Sequence, residues 1–128
     1  MKIFNPETLA SPRGYNHGIL ASGNLLFIAG QIGWDKDGNM ADGLVNQFEQ
    51  ALRNVMAVVE KAGGTAENIG RLAIFIKDKQ DYLNRRKEIG QCYQAVMGKH
   101  YSAMSLLVVK DLLEDKALVE IEATAVLP

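Results

Sequence analysis

Two stretches of this chain repeat apolar residues at helical spacing, and only two. The first runs Leu44, Val45, Phe48, Ala51, Leu52, Val55, Met56 and Val59, and Gly63-Gly64 supplies its stop. The second runs Tyr82, Ile89, Cys92, Tyr93, Val96 and Met97, is interrupted by Gly90, and closes at Gly98. Glycine inside a helix costs about 1 kcal/mol relative to alanine, so Gly90 is expected to permit close backbone packing. The remaining apolar runs are short and β-prone. Gly18-Ile19-Leu20-Ala21 and Leu25-Leu26-Phe27-Ile28-Ala29-Gly30 flank the turn signal Ser22-Gly23-Asn24 and are expected to form a hairpin. Arg71-Leu72-Ala73-Ile74-Phe75-Ile76-Lys77 reads as a buried strand, and two more strands are expected around 103–109 and 117–126. The resulting order, ββαβαββ with hairpins at both ends, predicts an α+β fold: a mixed β-sheet with two helices on one face. No third helix exists to cover the other face. Other copies of the chain are its most economical cover.

At 128 residues the chain suits a single domain spanning 1–128, and 48% hydrophobic residues are enough to bury a core. No repeat, low-complexity segment or linker divides it. Fourteen Lys and Arg against 15 Asp and Glu leave a net charge of -1, which gathers neither phosphate backbones nor anionic lipid. Nucleic-acid and membrane partners are therefore not expected. Cys92 is the only cysteine, so no intrachain disulfide forms, and the start of the chain lacks a secretory signal. The expectation is a soluble cytoplasmic protein. His17 and His100 are too few and too badly spaced for a metal site, and no glycine loop has phosphate-binding context. No metal and no cofactor is expected.

Strand alternation puts Glu120 and Glu122 on one face, with Cα atoms roughly 6.5–7 Å apart, while Val119, Ile121 and Ala123 face the other way. Such a pair either runs acid–base chemistry, if burial raises one pKa, or is a solvated edge or ion pair. Met104 is either core packing or an adaptable pocket wall. Tyr15, in Gly14-Tyr15-Asn16-His17-Gly18, is either a partly buried anchor or part of a cleft mouth. Gly30, before Gln31 and Ile32, permits close backbone approach to a ligand or marks a β-bulge. Trp34 follows in a turn, where packing is the commoner role. Cys92 lies on the second apolar stripe and reads as a small core hydrophobe. Arg85-Arg86-Lys87 is the densest basic run, but a helix spreads three consecutive residues around most of its circumference.

Four segments together, His100-Tyr101-Ser102-Ala103-Met104-Ser105-Leu106-Leu107, Leu118-Val119-Glu120-Ile121-Glu122-Ala123-Thr124-Ala125, Gly14–Gly18 and Ala29-Gly30-Gln31-Ile32, resemble the RidA/YjgF family. The resemblance covers essentially the whole chain. It implies the chorismate-mutase-like, RidA-like trimeric architecture, with small-molecule clefts between subunits. The best-known members hydrolyse reactive enamines and imines, and ribonuclease activity is also attributed to the family. Among this chain's residues, the resemblance implies that Glu120 positions the attacking water, and that Tyr15, Gly30, Gln31, Ile32 and position 104 line the substrate cleft. Two departures stand out. Arg13 precedes Gly14 and the proline of the family's Gly-Pro-Tyr motif is missing. Met104 stands where the family usually carries an arginine that clamps a substrate carboxylate.

Arginine offers a planar fork of donors; a thioether is neutral and a weak acceptor at best. A divergent member of this kind is expected to bind or hydrolyse a small, neutral or apolar metabolite, with ordinary 2-imino acid deamination doubtful. A non-enzymatic binder or sensor is the alternative. Arg85 or Arg86 is a candidate replacement for the missing cation. Ribonuclease action fits the near-neutral charge least well.

Overall fold

The computed structural model describes residues 1–128. Its elements are β1 (Lys2–Phe4), β2 (Gly18–Leu20), β3 (Asn24–Ile32), α1 (Gly43–Lys61), a 3-10 turn (Ala66–Asn68), β4 (Ile69–Ile76), α2 (Lys79–Asn84), α3 (Arg86–Met97), β5 (Ala103–Val108) and β6 (Val119–Leu127). Four of the strands form a mixed sheet in the order β3-β6-β4-β5, with β4 and β5 parallel and the other neighbours antiparallel. The α+β class and the mixed sheet are as the sequence predicts.

Three details differ. The strand at Gly18–Leu20 pairs with β1 and leaves β3 to β6. Three residues cannot compete with nine, because β3 and β6 align Leu26 and Ile28 beside Ala125 and Ala123 on the core face over their length. The last two strands form no hairpin either, since β4 lies between them. Its Leu72, Ile74 and Ile76 are almost fully buried, and a strand that apolar belongs in the sheet interior. The second helical stretch breaks at Arg85 instead of Gly90. Gly90 is exposed, and a Cβ there would meet nothing within 4 Å, so it serves no close packing.

Helix α1 buries Leu44, Phe48, Ala51, Leu52, Val55, Met56 and Val59 against the sheet, as its spacing predicts. Ile89, Cys92, Tyr93 and Met97 of α3 join them in a core of 20 buried residues. Gln47 is the exception within α1's buried stripe. Its amide nitrogen donates to the Ala41 and Lys116 carbonyls at 3.1 and 3.0 Å, and its oxygen accepts from the Leu118 N–H at 2.8 Å. Fully partnered in this way, a buried amide anchors the loop leading into β6 instead of destabilising the core.

The opposite sheet face has no cover within the chain. Leu25, Phe27 and Leu107 stand on it, Phe27 with 76% of its surface exposed. The strand at β4 is therefore not buried evenly on both faces: Leu72, Ile74 and Ile76 are buried on one, while on the other Arg71 is exposed, Phe75 is half-buried and only the small Ala73 between them is buried.

Candidate functional site

The sequence-predicted site residues fall into two groups, on different edges of the sheet. The first is built where the loop before β2 meets β5. Asn16 fixes that loop: its backbone N–H donates to the Ser102 carbonyl at 3.0 Å and its side-chain nitrogen to the Tyr101 carbonyl at 2.6 Å. A parallel bridge between Asn16 and Ala103 results, so the loop runs along the free edge of β5. Tyr15 is thereby carried to the same cleft as Met104, a space of about 560 Å³ that Arg71, Ser105 and Thr124 also line. The ring of Tyr15 stands edge-on to His17 at 5.3 Å, and His17 is held by the Ala10 carbonyl at 2.7 Å from Nε2. Asn16 and His17 thus hold the loop that carries Tyr15.

Met104 has both roles the sequence leaves open. It is half-buried against the core, beside Leu72 in the sheet register, and it borders the cleft. Ala103 and Ser105, its neighbours, belong to the opposite, open face. Arg71 is the residue the sequence reading passes over. It lies in register between Ala103 and Thr124, two small side chains, and it has no ion pair. The signal was present in the alternation of a charged residue with buried Leu72 and Ile74.

The second group surrounds Glu120. Between Ile28 and Gln31 the β3–β6 register slips by one residue, a bulge at Ala29 and Gly30. A Cβ built on Gly30 would meet the Glu120 carboxyl group, 2.8 Å from its Cδ and 3.0 Å from its Cγ. The absence of a side chain at residue 30 is what admits that carboxylate. Gln31 is half-buried and donates to the Ala29 carbonyl at 3.3 Å, bracing the bulge. Ile32, opposite Glu120 in register, is buried. Glu122 shares the open face with Glu120 but is more exposed.

One chain does not bring the two groups together. Glu120 lies in the row of Phe75 and Leu107, whereas Met104 lies in the row of Leu72 and Ala123. Two strand spacings and three residues separate them, roughly 14 Å, and they face opposite sides of the sheet. Arg85 is likewise elsewhere. It pairs with Asp81 at 2.7 Å and Glu88 at 3.8 Å between α2 and α3 and does not line the cleft of its own chain. Arg86 opens α3 and does not line the cleft.

Other titratable side chains are engaged structurally. Burial, reinforced by the nearby Glu49 carboxylate, pushes the Cys92 thiol up to about 11, the condition of an inert core cysteine. His100 Nε2 contacts the Ile69 carbonyl at 2.8 Å, which the buried Ser102 hydroxyl also reaches at 3.0 Å. Trp34 is 37% exposed and does not line the cleft of Tyr15 and Met104. No group of three or more His, Cys, Asp or Glu is placed to hold a metal, and no helix is long and apolar enough to cross a membrane.

A small mixed sheet with helices on one face, a glycine bulge beneath a strand carboxylate and an edge cleft at β5 define a class, and comparison with known proteins names it. The sequence pattern of the family described as endoribonuclease L-PSP matches residues 6–127. A RutC family protein of Synechocystis is 37% identical, covering 100% of this chain and 98% of the relative. The 2-iminobutanoate/2-iminopropanoate deaminase of Salmonella typhimurium is 34% identical over 81% of this chain and 80% of its own. Among solved structures, a Rid-family protein of unknown function from Yersinia pestis superposes with a TM-score of 0.87 at 32% identity, covering 98% of both chains. The chain belongs to the endoribonuclease L-PSP family, the RidA/YjgF family that its motifs resemble.

Proposed function

We propose that this protein forms a homotrimer whose inter-subunit clefts bind a small metabolite, and that Glu120 orients the water that attacks an imine or enamine carbon there. The observation that carries the reading is the approach of Glu120 to Gly30. A carboxylate seated over a glycine at a bulge stands beside backbone that a ligand can also reach. In hydrolysis, the water oxygen adds to the imine carbon while the nitrogen takes up a proton. The C–N bond then breaks, giving a carbonyl compound and ammonia, and Glu120 holds the water and relays its proton.

The need for several copies follows from the separation of the two residue groups. Met104 and Tyr15 stand at the β5 edge, and Gly30 and Glu120 at the β3–β6 side of the same sheet. Uniting them requires the edge of one copy to meet the other side of the next, which is head-to-tail association. Such contacts close into a ring of three when each copy is rotated by a third of a turn, and the bare apolar face supplies the surface to bury.

Met104 argues against efficient turnover of ordinary 2-imino acids, the substrates named for the Salmonella relative. A non-catalytic binding role remains the second reading, favoured by that same residue. RNA is a poor fit to a net charge of -1, and the basic run at Arg85 is partly neutralised by Asp81 and Glu88.

The test is a pair of substitutions. Glu120→Gln keeps the shape and removes the charge, so ligand binding or hydrolysis should weaken while assembly and melting temperature stay nearly unchanged. Glu122→Gln should do less. Loss of function in Glu122→Gln with none in Glu120→Gln would move the site along the strand and overturn the assignment.

A further inference from the structure

We infer that Arg71 is the anion anchor of the cleft, so that the protein's ligand is a small monocarboxylate with an apolar tail. The inference rests on the ligand-cleft reading above and specifies its substrate class. Arg71 lies in β4, one strand in from the free edge, and lines the cleft together with Tyr15 and Met104. Its register neighbours, Ala103 and Thr124, are small, and on its other side Arg71 borders a smaller cleft of about 200 Å³ with Phe27 and Glu122.

None of the four ion pairs in the chain involves Arg71, although Lys77, Arg53 and Arg85 all have acidic partners. Glu122 is the nearest acidic residue on the same face, diagonal to Arg71 through its register partner Ala73, and the two form no ion pair. If another copy covers the open face, this cation loses solvent and must gain a counter-charge, because an unpaired charge is costly to bury. A carboxylate meets the planar guanidinium with two parallel hydrogen bonds. The Ser105 and Thr124 hydroxyls line the same cleft as further donors, while Met104, Ile19 and Val126 offer apolar surface for the rest of the ligand.

An anchor at Arg71 is not equivalent to one at residue 104. It is displaced by one strand and one residue, roughly 6 Å between Cα positions, and belongs to the open face. A short imino acid held there keeps its carboxylate contact but shifts its reactive carbon, and shifts of this size cost orders of magnitude in rate. Binding of small carboxylates without brisk turnover is the consequence.

The assembled protein is titrated with sodium butanoate and, separately, with butanamide, and backbone amide shifts are followed by NMR. Butanoate should move the amides of Ala103, Ser105 and Thr124, and butanamide should bind more weakly. Arg71→Gln should weaken butanoate by at least about tenfold and leave butanamide unaffected, with Arg71→Lys intermediate because an ammonium keeps charge without the fork. Light scattering and melting of each variant exclude loss of assembly or fold, and Arg71→Lys, the milder change, carries the comparison if Arg71→Gln is damaged. Met104→Trp, which fills the cleft, separates the two claims. If it abolishes butanoate binding while Arg71→Gln and Arg71→Lys leave it within about twofold, the cleft stands and the anchor is overturned. If butanoate at about 10 mM moves no cleft amide, the cleft reading falls together with the anchor.

Discussion

The carboxylate of Glu120 occupies the volume that a side chain at residue 30 would take, with Glu120 Cδ 2.8 Å from the site of a Cβ on Gly30. A bulge in β3 and a charge on β6 are thus one structural unit. Gly30→Ala is expected to displace the carboxylate, because the colliding atoms include Cγ and Cδ as well as the mobile oxygens. The φ of Gly30 is not positive, so alanine adds no backbone strain. The fold should survive with a loss of about 1 kcal/mol, read by chemical denaturation, while ligand binding or hydrolysis falls as far as in Glu120→Gln. Full activity in Gly30→Ala would detach the bulge from the site.

The bare sheet face predicts assembly. Light scattering at micromolar concentration should give about three times the chain mass of 14.1 kDa. A stable monomer would leave Phe27 and Leu107 exposed in solution and the two residue groups apart.

Ammonia release from 2-iminobutanoate generated in place should be far slower than in the Salmonella relative named for that substrate. Without an arginine at residue 104 the carboxylate is not clamped in line with Glu120, and misplacing the reactive carbon costs orders of magnitude in rate. Met104→Arg should raise the rate, provided the cleft holds the longer side chain. Comparable turnover in the unmodified protein would remove Met104 from the argument.

Alkaline pH offers a test of the core. Burial, and then the Glu49 carboxylate, raise Cys92 from 9.0 to about 11; burial raises Tyr93 from 10.0 to about 12. Both groups are neutral below their unfolded values, where their contribution to stability is complete. As pH climbs, the unfolded chain ionises first, so stability is lost from pH 9 upward, through Cys92 and then Tyr93. Denaturation midpoints should fall over that range. Cys92→Ala should remove the first part of the decline and keep the second.

Much of this was legible in the chain. The stripe from Leu44 to Val59 gave α1 its buried face, and the alternation around Glu120 gave β6 its two sides. Strand pairing was not legible, because neighbours in sequence make the nearest guess. Gly18–Leu20 looks like the partner of β3 until nine residues of β6 are weighed against three. The cleft was legible only in part. Tyr15 and Met104 carried motif signals, whereas Arg71 emerged only once its register placed it between Ala103 and Thr124. The distance between Met104 and Glu120 had no sequence signal, since it depends on β4 intervening between β5 and β6.

The central claim is that the site is completed between copies, with Glu120 from one subunit facing Tyr15 and Met104 of the next. A crystal structure of the assembled protein soaked with 2-oxobutanoate, which replaces the imine nitrogen with oxygen, tests it most directly. The expected result is ligand density in each inter-subunit cleft, within about 3 Å of the Glu120 carboxylate or joined to it through one water. Density elsewhere, or copies joined through another face with Glu120 and Met104 still apart, would contradict the account.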